Sequence, residues 1–131
     1  MKIAIIAGCG NFPIQIARQN KDAFVLCIEG YSYQNLFKNN SETVSLLEPF
    51  HWLSILKNNN ITHIVMAGKI NRPSNVNNIS NENAIELINQ IVSVGDNAAL
   101  NYIEEFFNKN GFKILPVNSI LKDCFFSKGF Y

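Results

Sequence analysis

The sequence predicts an α/β domain built on a parallel sheet of about five strands, and three observations carry that prediction. Short β-rich runs alternate with stretches of helical spacing, the signature of parallel strands joined by helical crossovers. The first run, KIAIIA, is apolar along its whole length and suits a strand covered on both faces. The chain has 131 residues, 47% of them hydrophobic, enough for one domain with a sizeable core.

The elements follow in order. Residues 2–7 form the first strand and residues 8–12 a glycine turn. Pro13 opens a helix over 13–20, because a proline N–H is not needed in the first turn. Residues 23–29 (AFVLCIE) form a second strand and residues 43–46 a short third one. A helix over 50–58 carries Trp52, Leu53, Ile55 and Leu56 on one side, and 61–67 is the fourth strand. Ile85, Ile88, Ile91 and Val92 are spaced for a helix over 83–94, which Gly95 breaks. Asp96 then caps a helix reaching about Lys109, with Gly111 as its stop. Residues 113–117 form a fifth strand, placed at a sheet edge by Pro116. Together these describe a single Rossmann-like three-layer domain over 1–131. Asparagines such as Asn58, Asn59 and Asn60 read as loop filler set by composition.

Bulk properties exclude several classes. A net charge of +1 argues against a nucleic-acid partner or a polybasic membrane patch. Cys9, Cys27 and Cys124 are an odd count without a CxxC pair, which fits a reducing, cytoplasmic setting rather than a disulfide framework or a zinc site. No apolar run is long enough to span a membrane, and the first strand leads into a glycine turn rather than a signal cleavage site. Leu121, Cys124, Phe125, Phe126, Phe130 and Tyr131 crowd the end of the chain. Such a terminus calls for a covering surface: the domain's own flank, a second copy in a homodimer, or a further domain.

If the sheet is doubly wound, the first and fourth strands flank the point where strand order reverses, and ligands bind beyond the carboxyl ends there. GCGNFP follows the first strand and AGKINRP the fourth, so both loops open onto one crevice. Gly8, Gly10, Asn11 and Gly68 let backbone approach an anion, and Lys69 and Arg72 add charge. The plain alternatives are a tight strand-to-helix turn and a solvated loop. Gly8-x-Gly10 with Glu29 at the end of the second strand is similar to a dinucleotide fingerprint, but Pro13 occupies the place of its third glycine. Asp96 reads as a helix cap, His51 and His63 as structural, and Cys9 as a small loop residue. No catalytic residue and no metal ligand set emerges.

Three motifs in order also resemble a known family: IAIIAGCGNFPIQIA, HIVMAGKINRPS and VGDNAALNYIEEFFNKNGFKIL. Together they resemble the N-terminal domain of the metal-dependent UDP-2,3-diacylglucosamine pyrophosphatases of lipid A biosynthesis in Gram-negative bacteria. The resemblance implies hydrolysis of a UDP-linked diacylated glucosamine to UMP and the acylated sugar 1-phosphate, with magnesium or manganese assisting. It implies a cytoplasmic protein, peripheral to the inner membrane, whose catalytic acids lie in a C-terminal domain. This chain would then be the substrate-side half, inactive alone, with no cofactor of its own. Gly8, Gly10, Lys69, Arg72 and Asp96 carry over as crevice-lining positions, while Asn97 stands where members often have a second acid. The alternatives are a stand-alone NAD-type nucleotide-binding module and a protein-interaction module.

Overall fold

The computed structural model describes residues 1–69, 86, 88, 89 and 96–116, the last range with side chains from 101 onward. Five strands form one sheet: β1 (Ile3–Ala7), β2 (Phe24–Ile28), β3 (Ser41–Val44), β4 (His63–Ala67) and β5 (Lys113–Ile114). Their order is β3-β2-β1-β4-β5, and every neighbouring pair is parallel. Strand order therefore reverses between β1 and β4, as a doubly wound sheet requires. The helices are α1 (Phe12–Gln19), α2 (Pro49–Asn58) and α3 (Asp96–Lys109).

Side-chain alternation along the strands divides the core in two. Ala4, Ile6, Phe24, Leu26, Ile28 and Ile64 pack with Trp52, Leu53 and Leu56 of α2 and Phe107 of α3. Ile5, Ala7, Val25, Cys27, Val65 and Ala67 pack with Ile16 and Ala17 of α1. Helices thus cover both faces, which is why β1 and β2 are apolar at nearly every position. The connection from β2 to β3 carries only a 3₁₀ turn, Gln34–Leu36. It crosses on the α1 side, where Phe37 packs against that core.

Several boundaries differ from the sequence reading, each for a local reason. α1 starts at Phe12, with Pro13 in its second position. α2 starts at Pro49, whose missing N–H is harmless at the first position. β3 ends at Val44 because Ser45 begins a turn: its Oγ accepts from the Leu47 N–H (3.2 Å) and its carbonyl from Trp52 Nε1 (2.8 Å). β5 covers two residues at the sheet edge, short of Pro116. Glu86, Ile88 and Asn89 are helical and Ile88 is buried, while the rest of the helix expected over 83–94 lies outside the described residues. So do Val117 and the aromatic terminus.

The asparagines are not mere filler. Asn20, Asn59 and Asn110 follow the last turns of α1, α2 and α3, and each Nδ2 donates to the carbonyl four residues back. The acceptors are Ile16 O (2.9 Å), Ile55 O (2.8 Å) and Phe106 O (2.7 Å). Asn60 takes φ 60° after α2, where its N–H donates to Lys57 O (3.1 Å) and the Ile61 N–H donates to Leu56 O (3.0 Å). Gly111, at φ 90°, does the same after α3: its N–H donates to Asn108 O (3.2 Å) and the Phe112 N–H to Phe107 O (3.0 Å). Both are left-handed helix stops, and the second is closed by an apolar contact between the Phe107 and Phe112 rings at 6.2 Å.

Candidate functional site

The loops after β1 and β4 are joined into one rim. The Gly8 N–H donates to Ala67 O (2.8 Å), the Cys9 N–H to Lys69 O (3.0 Å) and the Lys69 N–H to Cys9 O (3.4 Å). Cys9 and Lys69 thereby form an antiparallel bridge beyond the end of the parallel ladder. Gly68 makes this possible. At φ 86° it lies so close to the first loop that a Cβ would stand 2.7 Å from Cys9 O and 2.8 Å from Pro13 Cγ.

That contact explains the departure from the dinucleotide fingerprint. In that motif a third glycine lets the helix pack closely on the strand. Here Pro13 occupies the position, fully buried, and the room it needs comes from the missing Cβ of Gly68 on the neighbouring loop. Gly10 serves another purpose. It takes φ 99°, and a Cβ there would meet nothing within 4 Å, so it turns the chain beside open space.

A third loop, after β2, is tied to the same edge by a residue that the sequence reading missed. Ser32 is buried at 4% exposure; its Oγ donates to Ala7 O (2.6 Å) and accepts from the Ile28 N–H (3.1 Å). It thus pins the Glu29–Tyr33 turn to the end of β1. The available signal was the small hydroxyl between two tyrosines in GYSY, just after a strand. Burial pushes the Cys27 thiol above its ordinary range, with a weaker opposing pull from the Ser32 hydrogen bond.

Of the sequence-predicted site residues, Gly8, Gly10, Asn11, Gly68 and Lys69 come together on this rim. Their roles divide. The Gly8 amide is committed to the cross-link, whereas the Gly10 and Asn11 amides have no acceptor among the described residues. Asn11 precedes α1 without a side-chain cap, and both Asn11 and Lys69 are exposed. Arg72 lies outside the described residues. Asp96 begins α3 in backbone, with its side chain outside them. Among the described residues no group of three or more His, Cys, Asp or Glu side chains could hold a metal ion. The rim offers amides and an ammonium group, a donor set suited to an anion and not to a cation.

A family model of the LpxI N-terminal domain matches residues 2–124. The chain belongs to that family. LpxI is a UDP-2,3-diacylglucosamine pyrophosphatase of the lipid A pathway, a type separate from the metal-dependent family that the motifs resemble. The resemblance is therefore corrected in the type of enzyme, while the substrate and pathway stand. A magnesium or manganese requirement rests on the metal-dependent assignment alone and is not proposed for this LpxI-family chain. A comparison with curated proteins finds no match. No helix among the described residues is long and apolar enough to cross a membrane.

Proposed function

We propose that the rim at the carboxyl ends of β1 and β4 holds the diphosphate of a UDP-linked diacylated glucosamine, making this chain the substrate-side part of the pyrophosphatase. The observation that carries the reading is the Cys9–Lys69 bridge, which holds an exposed lysine beside the glycine turn at the topological switch point. Gly8 and Gly68 build the rim. Gly10 and Asn11 supply amide donors at the start of α1, where partial positive charge favours an anion. Lys69 supplies a full counter-charge, which compensates for desolvating the phosphates. Arg72 and Asp96 are added as substrate-binding positions on their motifs alone. Water cleaves the diphosphate to release UMP and the acylated sugar phosphate, with the groups that activate it coming from another part of the enzyme.

Calorimetric titration of UDP into the purified chain tests this. Lys69→Ala is expected to weaken binding about 10-fold, the loss of one charge-assisted contact. Its melting temperature should not move, since the side chain is exposed on a loop. Equal affinity for the two proteins would make Lys69 a solvated surface charge and remove the main support for the site.

A further inference from the structure

β3 lies at one edge of the sheet, and its ladder with β2 fixes which of its backbone groups are already paired. The Val25 N–H donates to Asn40 O (2.9 Å) and the Glu29 N–H to Val44 O (2.8 Å). In a parallel ladder of that phase Asn40, Glu42 and Val44 face β2, while the N–H and C=O groups of Ser41 and Thr43 face outward. An outward row of this kind is a template for another strand. Here one side chain closes it. Gln34 Nε2 donates to Ser41 O (3.0 Å) and to Ser41 Oγ (3.3 Å), and Gln34 Oε1 accepts from Thr43 Oγ1 (2.8 Å). The carboxamide thus lies along the edge and makes the contact to Ser41 O that a neighbouring strand would make. Its backbone is held in place. The Leu36 N–H donates to Tyr33 O (3.1 Å) and the Phe37 N–H to Gln34 O (3.1 Å), with Ser32 clamped before the turn and Phe37 packed after it. The Ser41 N–H and the Thr43 N–H and C=O have no partner among the described residues, and Glu42 between them is exposed.

We propose that Gln34 is a latch that keeps β3 from pairing with β3 of a second copy of this chain. Two-fold symmetry selects that occupant. An antiparallel pair centred on Glu42 sets Ser41 of each copy opposite Thr43 of the other, so the outward groups of both residues find partners. Ser41 O is the acceptor that Gln34 occupies, and the pair cannot form without displacing the carboxamide. The same register sets the two Glu42 carboxylates directly opposite each other, a second barrier through like-charge repulsion. Neither residue belongs to the anion rim, so pairing at this edge is separable from UDP binding.

The test is hydrogen exchange of the Ser41 and Thr43 amides at low and high protein concentration, read by NMR alongside sedimentation. The proteins are wild type, Gln34→Ala with Glu42→Thr, and Gln34→Lys with Glu42→Thr. Wild-type exchange at both amides should not change with concentration. The alanine variant should self-associate about 10-fold more tightly than wild type and protect both amides about 10-fold as concentration rises. The lysine variant breaks the same hydrogen bonds but leaves a charge on the edge, and should behave as wild type. Wild-type amides that already gain protection, an alanine variant that exchanges like wild type, or equal protection in the lysine variant overturns the latch. Association that leaves both amides unprotected also overturns it, because the contact then lies elsewhere.

Discussion

The two ends of the sheet treat their helix termini in opposite ways. At the amino ends of the strands, α1, α2 and α3 finish, and each last turn is closed by an asparagine side chain donating to the carbonyl four residues back. Asn39 adds contacts to Asn20 O (3.0 Å) and Ala23 O (2.9 Å). At the carboxyl ends, α1 and α2 begin, and neither Asn11 nor Glu48 makes a side-chain cap. Orphan acceptors are sealed at one end, while donors are left open at the other. An end that is fully hydrogen-bonded to itself has little to offer a ligand. The open end is where the switch point, Lys69 and the Ser32-clamped turn meet.

The comparison predicts a hierarchy of mutational effects. Gly68→Ala should be the most damaging, lowering unfolding free energy by about 3 kcal/mol, because its Cβ meets backbone and a buried proline in a left-handed conformation. Gly10→Ala, equally left-handed but beside open space, should cost only about 1 kcal/mol, so urea unfolding of the pair separates close approach from backbone conformation. Ser32→Ala should cost about 2 kcal/mol by orphaning the Ile28 amide and the Ala7 carbonyl, and should also loosen nucleotide binding. Asn59→Ala should cost about 1 kcal/mol at the sealed end and leave UDP affinity unchanged. The smallest effect is on pH dependence. The Cys27 thiol keeps its proton in the fold at pH values where the unfolded thiol ionises. Stability should therefore fall as pH rises past the ordinary thiol range, and Cys27→Ala should flatten that slope.

Much of this was legible in the residues. Continuous apolar runs placed β1 and β4, and the switch point followed from the βα alternation. Gly111 marked the end of α3 because glycine tolerates the left-handed conformation there, and Asp96, expected as a cap, is the first helical residue of α3. Other features depend on contacts that sequence spacing does not encode. Gly68 reads as flexibility but acts through its approach to Pro13, which lies 55 positions earlier in the chain. Ser32 reads as a turn residue, but its partner Ala7 is 25 positions away. The asparagines read as composition, because their partners are carbonyls and leave no pattern in neighbouring side chains. The motif order pointed to the substrate and pathway and to the wrong enzyme type, since glycines, lysine and arginine around a diphosphate say nothing about how its hydrolysis is assisted.

The most direct test of the open and sealed ends is an amide NMR titration of the isotope-labelled chain with UDP. Shifts should centre on Gly10, Asn11 and Lys69, with Asn20, Asn59 and Asn110 unmoved. Shifts centred on those three asparagines, or spread evenly over both ends, would contradict it.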